Sequence, residues 1–289
     1  MSPQVHRQLE QDRIENGVTA ATRATHDDGQ PSQLAANLVG LRTLIRREIA
    51  RIIRIWTQTL IPPAITMTLY FVIFGKLIGS RIGSIQGHFT YMQYIVPGLV
   101  MMSIITNSYA NITSSFFGLK FSHAVEEMLV SPMANWVILS GYIVGAVVRG
   151  LAVGIIVLGI ALFFTSLDIQ HPLITFASVL LGAIIFSLAG FINAVYATKF
   201  DDIALVPTFI LTPLTYLGGV FYSISMLGEP WQSISRANPI LYMVNSFRYG
   251  VLGISDVDVP VAFAVMLGFV VLLWFVALYL LRHGVGLRS

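Results

Sequence analysis

The stretch NWVILSGYIVGAVVRGLAVGIIVLGIALFF, residues 135–164, contains a single charge, Arg149. It exceeds the ~20 apolar residues needed to cross a bilayer core. The run is continuous rather than alternating, so it reads as a helix that satisfies its own backbone in lipid, not as a barrel strand. Outward from it, comparable runs extend from Ile55 to Gly75, Met92 to Phe117, Pro172 to Ala197, Ile203 to Ser223 and Pro260 to Leu281. Six transmembrane helices are predicted. The composition agrees: 55% hydrophobic, 11% charged and mean hydropathy +0.76 describe an all-α integral membrane protein.

Gly141, Gly145, Gly150 and Gly154 give the 135–164 run two small-xxx-small pairs, which predict close helix contact and a central position in the bundle. An Arg at a helix centre costs ~2.5–3.5 kcal/mol on insertion scales, so Arg149 needs partners or water. It either bonds carbonyls or asparagines of neighbouring helices or lines a substrate path. No carboxylate or histidine lies within a predicted span, so proton relay and cation binding have no obvious carrier. A driving force must come from elsewhere.

Zero cysteines exclude disulfides, thiolate metal sites and sulfur redox chemistry. Residues 1–37 are polar and lack the apolar core of a signal peptide, so they read as a flexible cytoplasmic tail. Residues 38–56 follow as an amphipathic segment, and 57–289 as the transmembrane domain. With the N-terminus inside, twelve of the 17 Lys and Arg face the cytoplasm, against Lys76, Arg81, Arg236 and Arg248 outside. Both termini are then cytoplasmic. The pI near 9.2 is explained by basic residues flanking membrane segments, where anionic lipids rather than nucleic acid are the expected partner.

From Leu38 to Trp56, Leu38, Leu41, Ile45, Ile49, Ile52 and Ile53 recur at helical spacing, opposite Arg42, Arg46, Arg47, Arg51 and Arg54. That pattern predicts an amphipathic helix lying in the membrane interface. Pro62 and Pro63 should kink the first span or mark its true start, and Pro207, Pro213, Gly218 and Gly219 should bend or break the fifth. Pro239–Ile254 is too apolar for an ordinary external loop and too short to cross. It predicts a re-entrant hairpin between spans five and six, with Arg248 as an interfacial anchor or a substrate ligand.

No phosphate-binding loop exists, since Gly75-Lys76 lacks the upstream glycine and the following Ser or Thr. No zinc-protease, nucleophile-elbow or S-x-x-K arrangement is present, and the histidines are scattered. The chain reads as a non-enzyme without catalytic, metal or cofactor residues. A secondary carrier or channel would need ion-binding acids or a polar pore stripe. A membrane enzyme would need clustered carboxylates or histidines at the interface. The cytoplasmic segment 118–135 contains Glu126-Glu127-Met128-Leu129-Val130-Ser131-Pro132, a short helix with an acidic face, an apolar face and a proline stop. It is either a solvated connector or a plug for a cytosolic partner. Asp201 and Asp202 read as a solvated cap for the fifth helix.

Residues 125–132, together with the run Leu211 to Tyr222, Asn238-Pro239 and Phe247-Arg248-Tyr249-Gly250, resemble the permease subunits of type 2 ABC transporters. Leu60 to Tyr70, containing Pro62 and Pro63, and Phe200-Asp201-Asp202-Ile203 resemble the bacterial YadH-like branch of that family. The similarity covers residues 40–289. It implies a six-helix permease of the bacterial inner membrane that pairs with a second permease copy and is driven by two separate cytosolic ABC ATPase subunits. ATP and Mg would be bound on the ATPases and not on this chain. Glu126, Glu127, Leu129 and Pro132 would couple to the ATPase. Thr66, Tyr70, Arg149 and Tyr216 would be candidates for the export path of a drug, lipid or glycan-type substrate, and Pro239 and Arg248 would belong to the external hairpin.

Overall fold

The computed structural model describes residues 32–82, 84–85 and 89–286. Residues 1–31 of the expected tail and the C-terminal residues 287–289 lie outside them. Nearly everything described is helical. The exception to the all-α expectation is a two-residue antiparallel pairing of Ser84–Ile85 with Phe89–Thr90.

Helix α1 (Gln33–Arg54) starts at Gln33 rather than at Leu38, because the Ser32 side chain caps it by accepting from Ala35 N. The chain breaks at Ile55 and resumes as α2 (Trp56–Tyr70), which continues past Pro62 and Pro63. It continues as a π-helix over Phe71–Ile78 and a last turn, α3 (Gly79–Ile82). Helix α4 (Tyr91–Phe121) opens with a capping box between Thr90 and Gln93. Short α5 (Ala124–Val130) leads to α6 (Asn135–Ala161), then α7 (Pro172–Tyr196).

Beyond α7 lie α8 (Asp202–Val206), a π-helical turn at Pro207–Leu211 and α9 (Thr212–Leu217). The external segment folds as α10 (Trp231–Arg236) and α11 (Pro239–Leu252), and α12 (Val259–His283) ends the bundle.

Five helices are long and apolar enough to cross a membrane among the described residues: Trp56–Gly75, α4, α6, α7 and α12. The expected fifth span is shorter than its apolar run suggested. Asp202–Leu217 stops at Gly218 and Gly219, where Gly219 adopts φ +71°, a conformation suited to glycine. Regular α geometry is also lost inside the run. Pro207 lacks an N–H, and the chain widens into π geometry immediately after it.

Helix α4 is the most buried span, and α6 packs on it as well as on α1, α2 and α7. Of the most apolar window of α4 83% is buried, against 44% for α6, and α7 and α6 pack along α4. The glycines of α6 do allow close contact, on two sides: Gly141 and Gly145 meet Leu44 and Glu48 of α1, while Gly150 and Gly154 meet Ser108 and Ile104 of α4.

Candidate functional site

Two structural features converge at the end of α4 predicted to be cytoplasmic. Lys120 Nζ donates to the carbonyls of Val195 and Ala197, both at 2.6 Å, placing its charge where the C-terminus of α7 favours a cation. The chain then turns at His123, whose φ of 59° lets α5 double back. Helix α5 buries Val125 and Met128 against the bundle and leaves Glu126, Glu127 and Pro132 exposed, with Leu129 half-buried and Val130 87% exposed. Between α5 and α1 lies a cavity of about 430 Å³ lined by Gly40, Thr43, Arg47, Leu119, Glu127 and Met133. The acidic helix and the arginine-rich helix thus form the two walls of one groove.

Helix α1 does not rest on an apolar face alone. Its contacts with α6 advance in step: Asn37 Oδ1 accepts from Ala134 N at 3.0 Å, Leu44 meets Gly141, and Glu48 meets Gly145. This constant register means that α1 runs parallel to the first half of α6. The buried stripe is Asn37, Leu44, Glu48 and Ile52. Leu38, Leu41, Ile45 and Ile49 instead line an open groove on the outer side with Arg42 and Arg46.

Glu48 is 1% exposed and fully engaged. Ser115 Oγ donates to its two oxygens at 2.8 and 2.9 Å, Arg51 Nη2 donates at 2.9 Å, and Arg47 Nη2 lies 3.7 Å away. Arg47 Nη2 also donates to the Tyr142 hydroxyl of α6 at 2.5 Å. A carboxylate therefore reaches between apolar runs that contain none of their own. Its signal was present in the sequence: Glu48 falls four residues after Leu44 and four before Ile52.

A polar stripe along α4 continues from this point. Ser103, Asn107, Asn111 and Ser115, at four-residue spacing, share one helix face. Arg51 Nη2 donates to Asn111 Oδ1 at 2.9 Å, and Arg149 Nη2 donates to Asn107 Oδ1 at 3.4 Å. The asparagine partner expected for Arg149 is thus found one turn from the asparagine that Arg51 holds. Among the described residues, most buried side-chain atoms without a hydrogen-bond partner in the chain lie here: Arg51 Nε, Arg149 Nε, Asn111 Nδ2, Ser103 Oγ and Ser108 Oγ. Each such group costs about 1–3 kcal/mol if left unmet.

Arg248 is corrected from an interfacial anchor to a core residue. It is 1% exposed; Nη2 donates to Gly219 O at 2.7 Å, Nε to Tyr94 O at 3.4 Å, and the guanidinium stacks 4.0 Å from the Tyr94 ring centroid. Pro239 starts α11 next to Asn238, which caps that helix by accepting from Ile240 N and donates to Leu214 O. The arginine locks the Gly219 turn to α4 and α11.

Of the path candidates, Tyr70 and Tyr216 are brought together. Phe221 lies 6.0 Å from the Tyr70 ring and 5.7 Å from that of Tyr216, with Phe74 alongside at 4.8 Å. Thr66 is exposed on α2, one turn before Tyr70. Arg149 belongs instead to the α4 stripe. Asp202 bonds its own turn, accepting from Thr198 N, Thr198 Oγ1 and Lys199 N.

Comparison with known proteins adds three findings. The family model described as ABC-2 type transporter matches residues 39–252. The chain is 55% identical over 251 residues to the inner membrane transport permease YadH of Escherichia coli K12, covering 87% of this chain and 98% of that protein. It is 22% identical over 216 residues to nodulation protein J of Neorhizobium galegae, covering 74% of this chain and 82% of that protein.

Proposed function

The chain belongs to the ABC-2 type transporter family, and from that premise we propose that it is the membrane-spanning subunit of an ATP-driven exporter in the bacterial inner membrane. In this reading two copies pair, and each engages one cytosolic ABC ATPase that binds ATP and Mg. The observation that carries it is the groove in which α5 presents Glu127 beside α1, with Glu126 exposed next to it. An ATPase seated there grips two elements at once: α5, joined directly to α4 and α6, and α1, packed along α6. Nucleotide-driven closure of the ATPases then tilts the bundle between two states.

The same reading makes Asp202–Leu217 a sixth crossing, completed by the residues up to Ser223, and the α10–α11 segment a re-entrant hairpin. Thr66, Tyr70, Tyr216 and the adjoining Phe74 and Phe221 line the seam between copies. Their mix of aromatic faces with a few hydroxyls suits an amphipathic or hydrophobic substrate of drug, lipid or glycan type.

The test is charge reversal at the groove. Glu126→Lys with Glu127→Lys is expected to insert into the membrane normally and to abolish substrate-stimulated ATP hydrolysis by the reconstituted complex. Unchanged coupled hydrolysis would remove α5 from the mechanism, and gradient-driven transport by this chain without any ATPase would favour a secondary carrier.

A further inference from the structure

The polar seam between α1, α4 and α6 is not used by the coupling mechanism, and its chemistry is one-sided. Its charged members inside the bundle are Arg51, Arg149 and Glu48, and both carboxylate oxygens of Glu48 are already taken by Ser115 and Arg51. The excess is positive. The unmet nitrogen atoms, Arg51 Nε, Arg149 Nε and the amide nitrogen of the fully buried Asn111, are all donors. With three unmet nitrogen donors, two serine hydroxyls that can donate as well as accept, and surplus positive charge, the seam calls for an anion with several oxygens.

The seam is also reachable at its Arg51 end, where a cavity touches Glu48, Arg51 and Ser115 while Asn111 and Arg149 lie behind them. A cavity of about 440 Å³ opens between α1 and the end of α4, with Arg54 and Ser114 at its mouth and Glu48, Arg51 and Ser115 at its floor. Arg54 has no ion-pair or hydrogen-bond partner among the described residues. The exposed apolar side chains of Ile53 and Trp56 flank this end of α1, so a ligand with both an anionic head and an apolar tail finds a surface for each. Arginine forks match tetrahedral phosphate oxygens better than a single point charge does.

We propose that the Arg51 end of this seam binds a phosphate-bearing headgroup, which enters past Arg54 and is held by Arg51, with the positive charge of Arg149 behind it adding to the attraction. The inference stands apart from the transport reading, since it concerns binding by this chain alone.

Detergent-solubilised full-length chain is titrated with dihexanoyl phosphatidic acid and, separately, with inorganic phosphate. Saturable binding is expected. Arg51→Gln should weaken it at least about tenfold, the scale of a lost charge-assisted hydrogen bond, and Arg149→Gln should weaken it less. Arg54→Gln, an exposed change that leaves the helix packing alone, should weaken it about threefold, and Arg149→Lys should fall between wild type and Arg149→Gln. Arg282→Gln, which removes one charge at the end of α12, should leave it unchanged. Competition by inorganic phosphate at equal concentration would assign the site to free phosphate, and lipid binding without such competition to a lipid head. Absence of saturable binding for both probes would overturn the proposal, as would equal losses in Arg282→Gln and Arg149→Gln. Loss of ATPase assembly in Arg54→Gln without any phosphate binding by the wild type would also overturn it, in favour of an acidic protein contact.

Discussion

Replacing Gly145 with Ala tests whether α1 is seated on α6 as described. A Cβ at Gly145 would lie 2.6 Å from Glu48 Cβ, whereas ordinary contact begins at 3.4 Å, so the two helices must separate by about 0.8 Å. Glu48 moves with α1 while Ser115 stays on α4, so a shift of that size breaks the short geometry of the 2.8 Å bond between them. Overpacking costs about 1–3 kcal/mol, and a lost hydrogen bond to a carboxylate about 1.5–3 kcal/mol more. The better helix propensity of Ala returns at most about 1 kcal/mol.

The net loss, at least about 1.5 kcal/mol, should raise the open population of α1 at least about tenfold. The chain contains no cysteine, so Ile52→Cys on the buried stripe supplies a unique thiol. Its alkylation rate reports how often α1 lifts. Gly159→Ala is the control, because a Cβ there meets nothing within 4 Å. If Gly145→Ala and Gly159→Ala give alkylation rates within twofold of each other, the packing of α1 on α6 is refuted.

Two further outcomes are expected. Arg248→Met leaves the carbonyls of Gly219 and Tyr94 buried without that donor, at about 1–3 kcal/mol each. Arg248→Lys should recover only part of the loss, since an ammonium cannot reproduce the spread fork of contacts; equal thermal stability of Lys and Arg in detergent would contradict this. Single cysteines at Thr66 or Tyr216 should cross-link two copies in at least one nucleotide state of the reconstituted complex, and failure in every state would remove these residues from the seam.

Much of this architecture was legible because lipid imposes long uninterrupted apolar runs, and α4, α6, α7 and α12 follow them closely. The limits arise where one residue overrides a run. Leu211 to Tyr222 carries no charge, yet Gly218 and Gly219 end the helix inside it. The glycines of α6 were read correctly as contact points, but spacing alone does not name the partner, and α4 is the more buried helix. Glu48 lies before the first apolar run and is carried alongside α6 only by the packing of α1. The stripe Ser103, Asn107, Asn111, Ser115 could have been found from its four-residue spacing. Arg248 could not have been placed, since Tyr94 and Gly219 are remote in sequence and only the fold brings them to it.

The Lys120 bonds to α7 have a mechanical counterpart on the other side of α5, where Asn37 fastens Ala134 at the head of α6. The connecting segment is therefore a strut pinned at both ends, with little slack to take up a push. A thrust delivered to it is divided between the axes of α4 and α6, and the left-handed bend at His123 is the natural pivot.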